Sequence, residues 1–281
     1  MKSSSTSSQN PQDNERDYQA TGKESSNPLD STEHVRRLQS IAHERGVVGL
    51  VRIGPITATC VLAPARIWQN TDLDDVRARF LVCGQQIGDS ISILAHGRKS
   101  PTDMRVLLKT HRTKSNKFFN QLPFTCAFSE STRSVSIKLF ANGKVHMTGL
   151  RTTEEVYSIS EAFADVLADV CVRSARVQAH RILMINSNFK LGTPIQLRRV
   201  CDTLNSHVCW EASYNPDIYP AVNARNTALN TSVFLFGTGS IVIAAAKTYQ
   251  ILQETVRQLL EDILPTYSEH VNVTGREKRV V

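Results

Sequence analysis

The sequence predicts an α+β protein in which one unit, used twice, builds a single antiparallel sheet with helices on one face. Three observations predict it. Residues 134–148 and 232–244 both read as strand, tight turn, strand. Each is followed by a helical pattern, to about residue 170 and about residue 264. Phe140 and Phe236 lie 96 positions apart (236 − 140), and Gly143 and Gly239 keep that offset. A tandem repeat fixes the architecture, and two hairpin–helix units side by side make a two-layer fold.

The elements follow in order. Residues 48–62 form a strand interrupted at Gly54-Pro55. Thr71 is an N-cap for a helix over 72–81, with Asp72, Asp74 and Asp75 in its first turn. Short strands fall at 91–94 and 105–108, and longer ones at 122–128, 135–140 and 145–148. A helix starts near Thr153, with Val156, Ile159, Phe163, Val166 and Leu167 on one face. The second half repeats this with a strand at 182–189 and a helix that Pro194 opens, carrying Ile195, Leu197, Val200 and Leu204. Strands at 210–214 and 221–224 precede the second hairpin. The last helix carries Leu252, Val256, Leu259 and Ile263 and stops at Pro265. The domain organisation is a disordered polar tail over 1–33, a first repeat over 47–170 with a basic insertion near 96–117, a second repeat over 178–265, and a C-terminal tail over 266–281.

The strand alternation separates two faces. Val135, Ile137, Leu139, Val145 and Met147 share one, and Ser136, Lys138, Phe140, His146 and Thr148 the other. The Asn142-Gly143 pair is a strong hairpin signal. In the second unit Val233, Leu235, Ile241 and Ile243 face inward, and Phe234, Phe236, Val242 and Ala244 outward. Single exposed apolar residues are ordinary. Phe140 and Phe236 stand out because the same residue recurs beside the same turn in both repeats.

Composition narrows the function. The chain has 281 residues and a net charge of +7. Residues 1–30 carry −2, leaving +9 for the rest (+7 less −2). Between 96 and 117, Arg98, Lys99, Arg105, Lys109, Arg112, Lys114 and Lys117 face one acid, Asp103, and lead into Phe118-Phe119. Basic charge beside aromatics suits a polyanion; a solvated loop is the plainer reading. The six cysteines show no paired spacing, which suits free thiols. No transmembrane run or signal-peptide core is legible. Gly237-Thr-Gly239 lacks a third glycine and sits in a hairpin, so it is no nucleotide loop. Cys201, His207 and Cys209 lack a fourth ligand and a metal-site spacing. No catalytic arrangement is legible, and no cofactor or metal is expected.

The runs KLFANGKVHMTG (138–149) and FLFGTGSIVIAAAK (234–247) resemble the strand–turn–strand of the two halves of TATA-box-binding proteins. Residues 215–221, NPDIYPA, resemble the segment entering the second-half stirrup, and residues 194–197, PIQL, the second-half junction of first strand and first helix. The likeness covers about residues 47–265, is weak over 63–117, and points to a divergent member of the kind large DNA viruses encode.

The resemblance implies a sheet bent into a saddle with helices on its convex face. It implies a DNA-binding and DNA-bending transcription initiation factor, tolerant of sequence, acting from the minor groove. Its partners would be double-stranded DNA, an A·T-rich promoter, and transcription machinery proteins, with no membrane. Its location would be intracellular, in a nucleus or a site of viral transcription. Phe140 and Phe236 become wedges, Tyr219 replaces the second-half stirrup Phe, and Phe118 or Phe119 is its first-half counterpart. Thr148 matches a groove-facing Thr, His146 and Val242 groove-facing Val positions, and Lys138 and Phe234 Leu positions. Ala244 completes the DNA-facing set. Lys109, Arg112, Lys114 and Lys117 are phosphate-contact candidates. The chain departs from the family at Ala244-Ala245, where Thr-Gly is usual, and at Met184, where a groove-reading Asn is usual. The helix after the first hairpin is acidic (Glu154, Glu155, Glu161, Asp165, Asp169) instead of basic. The alternative reading is a saddle-fold protein-interaction scaffold that has lost DNA binding.

Overall fold

The structure, a computed structural model, describes residues 31–47, 49–68, 71–95, 104–110, 120–128, 131–170 and 174–277. Its strands are β1 (Arg52–Ala63), β2 (Gln85–Ile87), β3 (Ser90–Leu94), β4 (Met104–Lys109), β5 (Gln121–Phe128), β6 (Ser131–Phe140), β7 (Lys144–Leu150), β8 (Arg176–Lys190), β9 (Trp210–Ser213), β10 (Ala221–Asn226), β11 (Thr231–Phe236) and β12 (Ser240–Ala246). The helices are α1 (Ser31–Glu44), α2 (Ala65–Trp68), α3 (Leu73–Cys83), α4 (Thr153–Val170), α5 (Leu197–Asn205) and α6 (Tyr249–Glu277).

All twelve strands form one sheet in the order β2-β3-β4-β5-β6-β7-β1-β8-β12-β11-β10-β9. Every pairing is antiparallel. β1 and β8, the first strands of the two repeats, meet at the centre. The sheet is open, and helices pack on the face that carries the buried core. The repeats are unequal: seven strands stand on the first side of the β1–β8 seam and five on the second.

The inner face is the core. Val135, Ile137, Leu139, Val145 and Met147 are fully buried, as are Val233, Leu235, Ile241 and Ile243. Ile159, Phe163 and Leu167 of α4, and Leu252, Val256 and Leu259 of α6, join the same cluster. This is the phase that the alternation predicts, so the other set of side chains is left on the open face.

The two hairpins close alike. Gly143 N–H donates to the Phe140 carbonyl, and Gly239 N–H to the Phe236 carbonyl, both at 2.9 Å. Both glycines have left-handed φ, 76° and 78°. A methyl on Gly239 would come 2.1 Å from the Thr193 carbonyl oxygen. The turns therefore require glycine for its φ and, at 239, for room.

Several elements differ from expectation. α1 begins at Ser31, inside the segment assigned to the polar tail, and packs on α6 through buried Leu38 and Ala42. His34 stacks on Tyr249 at 4.8 Å, and Arg45 pairs with Glu261 at 2.6 Å. The N-cap of α3 is Asp72, not Thr71, because the Asp72 carboxylate accepts the Asp74 N–H at 2.9 Å. Pro194 precedes α5 instead of opening it, since the Ile195 N–H is already given to the Gly237 carbonyl. The last helix continues past Pro265 to Glu277, where a stop and a tail were expected. One proline removes one backbone bond, and the buried stripe from Leu252 to Ile263 has already anchored the helix. Part of the expected basic insertion is sheet: β4 lies within it, with Met104, Val106 and Leu108 buried.

Candidate nucleic-acid interface

The open face is built in cross-strand rows, because residues directly opposite in antiparallel strands point the same way. In the first repeat Lys138 pairs with His146, His146 with Thr59, and Thr59 with Arg181 of β8. In the second, Phe234 pairs with Val242, Val242 with Asn188, and Asn188 with Arg52 of β1. The rows are symmetry mates. Each crosses two strands of its hairpin and the first strand of its own repeat, and ends on an arginine lent by the other repeat. Beside the first row runs another, Ser136, Thr148, Thr57 and Met184.

The face is accessible. Lys138, Arg181, Asn188 and Arg52 are exposed, while His146, Thr148, Phe234, Val242 and Ala244 are half-buried. Thr59 donates its hydroxyl hydrogen to the Val145 carbonyl at 2.6 Å, so its lone pairs are what it offers outward. Burial first, and the Lys138 ammonium second, push the His146 imidazole below its ordinary pKa.

The aromatic residues gather at one end of the second repeat. Tyr219 is 45% exposed, and its ring meets those of Phe234 at 6.0 Å and Phe236 at 6.1 Å, both edge-on. Edge-to-face rings at this spacing attract one another. Ile218 beside them is 81% exposed. Phe140 holds the equivalent place in the first repeat, beside Gln121 of β5, and is half-buried.

Of the phosphate-contact candidates, Lys109 is exposed at the end of β4, alternating with buried Leu108. Arg112, Lys114, Lys117, Phe118 and Phe119 lie outside the described residues. Thr59, Arg181, Asn188 and Arg52 belong to the face but carry no signal in the sequence alone. Register shifts between β1 and β8 break the simple alternation there.

Two acids of α4, Glu154 and Glu155, have local partners. Arg133 holds Glu155 in a salt bridge, with its guanidinium 5.3 Å from the Phe128 ring centroid, and Ser31 hydrogen-bonds Glu154. Burial pushes the Cys60 and Cys126 thiols up to about 12, so both are unreactive packing groups at neutral pH. Among the described residues no cluster of His, Cys, Asp or Glu could hold a metal ion, and no helix is long and apolar enough to cross a membrane.

A family model described as transcription factor TFIID, or TATA-binding protein, matches residues 180–265. A TATA-box-binding protein-like protein of Acanthamoeba polyphaga mimivirus is 26% identical over 230 residues, covering 70% of this chain. The match spans 60% of that relative's length. The TATA-box-binding protein of Thermococcus celer is 25% identical over 138 residues, 49% of this chain and 69% of the relative. Among solved structures, Methanococcus jannaschii TBP aligns with a TM-score of 0.49 and 17% identity, covering 77% of this chain and 98% of that one.

Proposed function

We infer, from its similarity to TATA-box-binding proteins, that this chain is a divergent member of that family, binds and bends duplex DNA through its open sheet face and acts in transcription initiation. The observation that carries the reading is the aromatic group of Tyr219, Phe234 and Phe236, held on an uncovered sheet face beside a turn that the first repeat duplicates at Phe140.

Each part of the face has a physical task. Phe140, Phe236 and Tyr219 act as apolar wedges that unstack base steps, at a cost of about a few kcal/mol per step. Val242, Ala244 and Thr148 fill the flattened groove. Lys138, Arg181, Arg52 and Lys109 neutralise phosphates and release counterions. Kinking favours flexible steps such as TA, so sequence is read partly as deformability, and an A·T-rich promoter is the target that this favours. The convex helices are left to contact other transcription proteins, in a nucleus or a site of viral transcription.

The test is a mobility-shift titration on A·T-rich and G·C-rich duplexes at two salt concentrations. Binding that falls steeply with salt supports the reading. No binding to either duplex at low salt overturns it and leaves the protein-interaction scaffold.

A further inference from the structure

The two symmetry-related rows of the open face differ in what they can accept. At the place where the second repeat has Val242, the first has His146, and His146 stands directly opposite Thr59. We propose that His146 and Thr59 form a specificity-determining site for the exocyclic amino group of guanine, so that the first repeat takes a G·C pair more readily than the second. The proposal rests on the DNA-binding reading above.

In the minor groove A·T and T·A pairs show only acceptors, and a G·C pair adds one donor, the guanine amino group. A donor buried against methyl groups loses its water and gains nothing. Val242 and Phe234 offer it methyls and a ring, so the Asn188 amide oxygen is the one side-chain acceptor in that row, where the first repeat has Thr59 and His146 side by side. In the first repeat Thr59 offers lone pairs, because its hydrogen is engaged by the Val145 carbonyl. His146 remains neutral near pH 7 and keeps one unprotonated ring nitrogen. Lys138 and Arg181, the ends of the same row, can only donate. Neither can take the guanine amino group, and both stay with the phosphates.

Inosine isolates the amino group, since an I·C pair keeps the minor-groove acceptors of G·C and lacks only that donor. The experiment measures affinities for three duplexes with an I·C pair at two symmetry-related positions: the parent, one with a single I·C changed to G·C, and one with both changed. The protein can orient its first repeat onto a single guanine, so the first change costs nothing. The second places guanine under Val242 and weakens binding roughly five- to tenfold, the size of one hydrogen bond. His146→Val makes the first change costly too, and Val242→His removes the cost of the second. Both side chains are half-buried on the open face, so both variants fold. Equal costs for the two changes in the unaltered protein, or a ladder unmoved by both variants, overturn the proposal while the DNA reading stands. Failure to bind any of the three duplexes at low salt overturns both.

Discussion

The Tyr219 ring lies 6.1 Å from the Phe236 ring, edge-on, on the face of the sheet opposite the core. Tyr219 comes from the segment before β10 and Phe236 from the end of β11, so the pair is assembled only by folding.

Replacing Phe236 or Phe140 with alanine is expected to reduce DNA affinity and bending while sparing the fold. Both side chains are half-buried and lie away from the core. Their loss should shift stability by much less than the roughly 3–5 kcal/mol of a core Phe→Ala change, for which Phe163, fully buried, is the control. Thermal melts of the three variants check this. A drop for Phe236→Ala as large as that for Phe163→Ala would show that the ring belongs to the core.

Ala245 concerns the scaffold. Gly149 ends the first hairpin with φ 95°, and Ala245, at the matching place 96 positions on (245 − 149), has φ 68°. The second repeat keeps the left-handed backbone without the glycine that fits it. A left-handed conformation costs an L residue roughly 1–2 kcal/mol, partly offset by the extra freedom glycine has when unfolded. Ala245→Gly should therefore stabilise the protein by up to about 1 kcal/mol. Gly149→Ala should destabilise it, the more so because the new methyl would come 3.2 Å from the Ser134 carbonyl oxygen. Urea midpoints measure both.

His146 gives a pH dependence with a defined sign. Its pKa in the folded protein lies below its ordinary value of 6.5, from burial and from Lys138 on β6. Thr59, its neighbour on β1, is uncharged. The folded state thus binds the proton less readily than the unfolded chain. This contribution to stability is complete above about pH 6.5 and declines as pH falls through the folded pKa. His146→Gln should flatten that part of the stability profile between pH 7 and pH 5. An unchanged difference between the two proteins across that range would contradict the assignment.

The basic segment before β5 gives a salt prediction. Neutralising Lys109, Arg112, Lys114 and Lys117 should weaken binding to all duplexes alike. Each side chain that no longer neutralises a phosphate should lower the salt slope by about 1. An unchanged slope would mean that these side chains do not contact phosphates.

Much of the fold was legible because hairpins write their own register. In β6–β7 and β11–β12 strict alternation around a glycine turn separates buried Ile137 and Ile241 from outward Lys138 and Val242. The centre of the face was not legible. Thr59, Arg181, Asn188 and Arg52 meet only through the β1–β8 pairing, whose register shifts no local pattern records. α1 went unread because what buries it is distant in sequence: Leu38 and Ala42 pack with α6, and His34 stacks on Tyr249. Pro265 misled because local propensity gave way to the buried stripe of α6.

The most direct test of the central claim is the end-to-end distance of a dye-labelled A·T-rich duplex, measured by energy transfer as the protein is added at low salt. The open face with its paired wedges predicts a shortening that saturates with binding, and a smaller one for Phe140→Ala and Phe236→Ala at saturation. A duplex that is bound but keeps its full length would contradict wedge insertion. A duplex that is never bound would contradict the account as a whole.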